Sequence, residues 1–259
     1  MTDLAVFLIN LDDAPSRLKA AQVALSVQNT QFERVPGVDG RAFDPATIPG
    51  YDADGARRYF GRDLNGGEIG AFQSHLRALE RFVASGAAYG LILEDDIDPD
   101  AGAMDFVRAI IDWQRGRYAQ DWYVANLGAK RQKITTDVAV FERGGTEAVL
   151  RRAHYFPMLA TALLWTRQGA QAFLDQHTAI DCPWDNALRR WLTANDTGLV
   201  VSPCLFGTTG ASSQIDPAKG AALRSREGRV RTYRLRRMRR QWGDKLRALH
   251  HKMRHRPDS

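Results

Sequence analysis

Residues 4–9, Leu-Ala-Val-Phe-Leu-Ile, form an unbroken apolar run that stops at Asn10. A run of strand length with no polar alternation offers no face to water, so it specifies a strand covered on both sides, as in a parallel sheet between helices. Asp13, Pro15 and Ser16 follow as a helix start, with Asp13 suited to the N-cap and Pro15 to the first turn, leading into residues 18–25. The chain opens as strand, then helix.

The same alternation continues downstream. Residues 32–35 predict a second short strand before Pro36-Gly37-Val38-Asp39-Gly40, and the Pro-, Gly- and Asp-rich stretch up to Arg62 predicts mostly loop. Ile69, Phe72, Leu76, Leu79 and Phe82 have helical spacing and end near Gly86. Residues 91–93 predict the central buried strand. Further on, 105–113, 168–176 and 186–192 predict helices, while 122–127, 158–166 and 199–201 predict strands. At 259 residues this alternation suits a single α/β domain, expected over 1–220, with a mostly parallel sheet flanked by helices and a separate tail at 221–259.

Glu94, Asp95 and Asp96 follow directly on the buried run Leu91-Ile92-Leu93. Three like charges at the end of a buried strand are costly unless a cation sits there. Hard oxygen ligands of this kind suit Mg²⁺ or Mn²⁺, particularly where substrate phosphates complete the shell. Open α/β sheets place their ligands at such carboxyl ends. The alternative is a charged turn with one carboxylate capping the next helix, a task Asp98 before Pro99 also suits.

Ile9-Asn10-Leu11 with Arg17, Gly67-Glu68-Ile69-Gly70 with Ser74-His75, and Leu93-Glu94-Asp95-Asp96 come in that order. Together with Pro36-Gly37-Val38-Asp39-Gly40 and Pro183-Trp184-Asp185, this succession resembles glycosyltransferase family 25, the lipooligosaccharide-type sugar transferases, over roughly residues 4–190. The resemblance implies a GT-A-like (Rossmann-like) fold, a UDP-sugar donor carrying galactose or glucose, a divalent metal (Mn²⁺ or Mg²⁺) at the acidic motif, and transfer with inversion. Under it Asp96 is the direct metal ligand and Glu94 a weaker candidate, while Asp95 meets the ribose or the metal's water shell. Asn10, Arg17, Glu68, Ser74 and His75 become donor contacts. Taken without it, Arg17 reads as a solvated helix residue and His75 as a satisfied core histidine.

An inverting transferase needs a base within hydrogen-bond reach of the acceptor hydroxyl. Asp185 is the leading candidate, with Asp181 as runner-up, although Asp185 also suits a helix N-cap. One departure concerns Met158-Leu159-Ala160-Thr161-Ala162-Leu163, where family members often read Gly-Thr-x-Ala-Tyr. The missing tyrosine leaves donor preference open.

Charge is divided sharply along the chain. Residues 224–256 hold 14 Lys and Arg against Glu227 and Asp244, while residues 1–223 carry a net −5. Leu235, Met238, Trp242, Leu246, Leu249 and Met253 fall at spacings of three and four, a basic amphipathic helix. Such helices dock on anionic membranes, which fits a glycan or glycolipid acceptor. Packing of the stripe on the acidic body is the alternative, and specific nucleic-acid binding is not expected. No membrane-spanning stretch and no signal peptide is evident, and Cys182 and Cys204 have no metal-ligand spacing. The expected location is cytoplasmic, peripheral at the inner face of the membrane. Rival functions are a catalytically inactive module of the same fold and a metal-dependent nuclease with a DNA-binding tail.

Overall fold

The computed structural model describes residues 3–42, 44–115, 121–143, 145–210 and 229–255. Its centre is an eight-stranded sheet in the order β2-β1-β3-β8-β5-β9-β7-β6. The strands are β1 (Leu4–Asn10), β2 (Glu33–Pro36), β3 (Tyr89–Glu94), β5 (Val124–Asn126), β6 (Lys133–Arg143), β7 (Thr146–Tyr155), β8 (Ala162–Thr166) and β9 (Gly198–Ser202). Two short strands, β4 (Ile97–Pro99) and β10 (Phe206–Thr208), form a separate antiparallel ribbon. In the large sheet β2, β1 and β3 are mutually parallel and β5 is parallel to β9, while β8 and β7 run against their neighbours. The sheet is thus mostly parallel in direction, as expected, with two reversed strands inserted.

The helices are α1 (Pro15–Val27), α2 (Ala53–Tyr59), α3 (Gly66–Ser85), α4 (Ala103–Arg115), α5 (Arg167–Gln176), α6 (Trp184–Asn195) and α7 (Tyr233–Arg254). They cover both faces of the sheet. On one face Phe7 and Ile92 pack with Phe72, Phe82, Phe173 and Trp184 from α3, α5 and α6. On the other, Leu8, Leu91 and Leu93 pack with Leu25 of α1 and Met104, Phe106 and Ile110 of α4. Successive residues of one strand supply opposite cores, which is why 4–9 and 91–93 contain no polar residue.

Four expectations change. Helix α1 is entered through Ala14 without a side-chain cap, because Asp13 is engaged by Arg41. The stretch before Arg62 holds α2, whose N-cap Asp52 accepts from the Gly55 amide at 2.8 Å. The expected strand at 158–166 begins only at Ala162. The long hairpin β6–β7 was not anticipated. The C-terminal helix forms as expected, but residues 224–228 and 256 of the basic segment lie outside the described residues.

Candidate functional site

Parallel pairing sets Ile9 opposite Glu94, so β1 and β3 end on the same rim. Asn10, the last residue of β1, is 2% exposed. Its Nδ2 donates to Asp95 Oδ2 at 2.7 Å and to the Ala14 carbonyl at 3.1 Å, fixing the entry to α1. One turn into α1, Arg17 forms an ion pair with Asp95 and lies 3.7 Å from Asp96. Asp95 is therefore satisfied by two fixed partners. Asp96 differs: its Oδ1 is buried with no hydrogen-bond partner among the described residues. An orphaned carboxylate oxygen is costly, and a cation is the group that would relieve it.

Burial raises both carboxyls above the ordinary aspartate range. For Asp95 the hydrogen bond from Asn10 and the charge of Arg17 offset only part of the rise. For Asp96 the Glu94 charge adds to it and Arg17 opposes it.

Helix α3 supplies the facing wall. Asn65 and Glu68 form a capping box at its N-terminus, and Gly86 closes its C-terminus at φ 75°. A Cβ on Gly70 would come within 2.5 Å of the Val38 carbonyl, so the 36–40 loop lies directly against the helix. Ser74 ties that loop down, accepting from the Val38 amide at 2.8 Å and donating to the Gly70 carbonyl at 2.7 Å. His75 stacks on Trp184, with ring centres 4.5 Å apart and an 8° interplanar angle, and its Nε2 lies 3.3 Å from Glu94 Oε1. Its Nδ1 is buried without a partner.

These elements enclose a cavity of about 190 Å³ lined by Asn10, Arg17, Ser74, His75, Glu94, Asp95 and Asp96. Seven residues singled out from the sequence meet in one place. Three others do not line it. Glu68 completes the α3 cap and holds Arg62 through two hydrogen bonds of 2.8 and 2.6 Å. Asp181 makes a two-pronged pair with Arg190 at 2.8 and 2.9 Å. Burial pushes its carboxyl up, but Arg190 outweighs that and holds it below the ordinary range.

Asp185 is close by without lining the cavity. It lies in the first turn of α6 rather than at the N-cap, which is Pro183. Burial and the neighbouring Glu94 charge push its carboxyl up to about 6, while His75, the Leu159 backbone and Arg189 oppose the rise. Leu159 has φ 96°, a strained value for a branched residue, and its carbonyl accepts from Asn126 Nδ2 at 2.7 Å. Trp184 and Asn126 were missed as positioning residues. Trp184 sat in the Pro183-Trp184-Asp185 segment, and Asn126 ends a strand as Asn10 does.

No group of three or more His, Cys, Asp or Glu side chains among the described residues could hold a metal by itself. The donor set fits a cation held by one or two carboxylates together with ligand oxygens, the usual manner of Mg²⁺. Asp96 has the free oxygen, and Glu94, exposed at 37%, has room to turn toward it.

A crevice at the carboxyl ends of parallel strands, walled by helix N-terminal segments and rimmed with acid, defines a ligand-binding α/β domain. The chain belongs to glycosyltransferase family 25: the model of that family, described as "Glycosyltransferase family 25 (LPS biosynthesis protein)", matches residues 3–188. It is 34% identical over 138 residues to a "Glycosyltransferase 25 family member" of Drosophila pseudoobscura pseudoobscura, covering 49% of this chain and 21% of that one. It is 28% identical over 139 residues to "Procollagen galactosyltransferase 1" of Danio rerio, covering 50% and 22%. It is also 34% identical over 100 residues to the human "Inactive glycosyltransferase 25 family member 3", covering 36% and 16%. The matched part spans about a fifth of the length of these relatives.

Proposed function

We propose that the chain is a metal-dependent, inverting glycosyltransferase that moves a hexose, galactose or glucose, from a UDP-sugar to a hydroxyl of a glycan or lipooligosaccharide-type acceptor. The observation that carries this reading is the unpartnered, buried Asp96 oxygen beside a cavity lined by Asn10, Arg17, Ser74 and His75. A relative named for galactosyl transfer supports the hexose.

In this reading Asp96, with Glu94, would hold a divalent ion, which would supply Lewis-acid stabilisation of the leaving diphosphate's charge. Asp95 is a positioning residue that locks Arg17 against the rim. The Arg17 guanidinium lines the cavity with its buried Nε unpartnered, available to an anionic ligand oxygen. Asp185 accepts the proton of the attacking acceptor hydroxyl, and a carboxyl near 6 is mostly ionised at neutral pH yet basic enough to serve. His75 and the Leu159 backbone hold its surroundings polar.

Helix α7 supports a membrane-bound acceptor. Its six stripe residues are all exposed, from 45% at Leu249 to 63% at Leu246 and Met253. The helix rests on the body through its other face, by Tyr233, Ala248 and hydrogen bonds from Arg240 to the Tyr59 and Phe60 carbonyls at 2.6 and 2.8 Å. An outward apolar stripe flanked by cations suits an anionic lipid surface better than a nucleic acid, and no described helix is long and apolar enough to cross a membrane. Flotation with anionic liposomes, set against a salt-titrated DNA shift, tests this part.

The donor reading is tested by thermal stabilisation with UDP, GDP and CMP, with and without Mn²⁺. Ligand at 100 times its Kd adds about 2.7 kcal/mol. No metal-dependent response to any nucleotide overturns the reading, and Asp96→Ala is expected to remove the metal-dependent part. Nucleotide binding without sugar transfer or donor hydrolysis would favour a binding module, as the relatives named inactive suggest.

A further inference from the structure

A second cavity, of about 500 Å³, is bounded by Leu159 and by Arg189 of α6, the helix that carries Asp185. Lys130, Arg131, Lys133, Arg189 and Lys245 line it, and no carboxylate does among the described residues. Residues 1–223 are net acidic, so four of these five cations gather against the prevailing charge of their own domain. Lys130, Arg131 and Lys133 have no ion-pair partner among the described residues. The Asp185 and Asp244 charges act on Arg189, whereas the exposed Lys130, Arg131 and Lys133 are free to turn toward an anion entering the cavity. Arg189 is held in place by the Phe156 carbonyl at 2.9 Å and the Tyr155 hydroxyl at 3.2 Å, its guanidinium over the Tyr155 ring.

The cavity is joined to the reaction centre in two ways. Leu159, which lines it at φ 96°, has its backbone close enough to Asp185 to act on the carboxyl. Arg189 follows Asp185 by four residues on α6, so the two side chains share a helix face, roughly 5–6 Å apart at Cβ. Glu94, which lines the first cavity, acts electrostatically on the same Asp185. A hydroxyl delivered to Asp185 would carry its remaining substituents to within reach of Arg189.

We propose that the basic cavity is the acceptor subsite and that it recognises an anionic substituent, a phosphate or a carboxylate, on the acceptor glycan. This rests on the transferase reading above. Lys245 and Gln241 of α7 contribute to the wall, so the site lies beside the apolar stripe and faces a headgroup rather than a free sugar.

The test titrates the full chain calorimetrically with glucose 6-phosphate, glucuronate and glucose, and with UDP plus Mn²⁺ in parallel. At least one anionic sugar is expected to bind tenfold or more tightly than glucose, and which one identifies the substituent. Replacing Lys130, Arg131 and Lys133 together by Ala is expected to weaken it at least tenfold while leaving UDP binding unchanged. These side chains are exposed and unpaired among the described residues, and the single reversal Lys133→Glu serves as a second probe. Equal binding of glucose, undiminished anion binding in the variants, or displacement of the anion by UDP overturns the proposal. Lysine-dependent anion binding with no nucleotide response overturns the transferase reading instead.

Discussion

The two halves of the sheet are built differently. β2, β1 and β3 are parallel, covered on both faces, and lead to a rim where Asp95 is paired while Asp96 Oδ1 and Arg17 Nε lack a hydrogen-bond partner among the described residues. From β8 outward the strands follow neither chain order nor a single direction, and the cavity beyond them is lined by five cations and, among the described residues, no carboxylate. Under the proposed reading the first half would hold a cation with its ligand and the second would receive an anion.

Arg17→Ala should test the paired half most severely. It removes the counter-charge of the buried Asp95, 8% exposed, leaving only the Asn10 hydrogen bond, and loss of about 3–5 kcal/mol is expected in urea unfolding at pH 7. The deficit should shrink in acid as Asp95 protonates. A loss below about 1 kcal/mol would mean that the rim is not held by this pair.

Asp185→Asn probes the boundary between the halves, and here the sign reverses. A carboxyl raised from 3.8 to about 6 contributes stability below its unfolded value and loses it as pH rises through 6. The amide should therefore stabilise the fold by up to about 3 kcal/mol above pH 6 and by little below pH 4. Transfer should be abolished throughout. Unchanged stability across that range would remove the case for a desolvated base.

Glu68→Ala should cost about 1–2 kcal/mol through the lost cap and the stranded Arg62, with no change in UDP affinity. A UDP defect at unchanged stability would return Glu68 to the donor site. The smallest folding effect is expected from Trp242→Ser with Leu246→Ser, within about 0.5 kcal/mol because both are exposed. Liposome flotation should nevertheless be lost, and retained flotation would break the assignment of that face.

The same division governs what could be read from the sequence. Strands buried on both faces announce themselves as apolar runs, so β1 and β3 and the residues at their ends were legible. The cavity residues Asn10 and Asp95 lie 85 positions apart, yet parallel pairing of two recognisable strands brings them together. Hairpin β6–β7 was hidden because it is only half covered: Ala148 and Leu150 are buried, whereas Val149 and Arg151 are not. Gly144-Gly145 between two β-branched stretches was its signal. The acidic Asp52 and Asp54 disguised α2 as loop, although an N-cap and first-turn acid are what a short helix needs. Asp181 looked free because nothing local marks Arg190, nine residues on, as its partner.

The contact between α7 and α2 has a further consequence. Arg236 donates to the Arg58 carbonyl and Arg240 to those of Tyr59 and Phe60, so guanidinium groups from about 180 residues downstream finish the last turn of α2. They supply both the missing donors and the positive charge that a helix C-terminus favours. The basic segment is therefore no detachable appendage. A chain shortened before it would leave the last turn of α2 without these donors, an incomplete helix at the edge of the body.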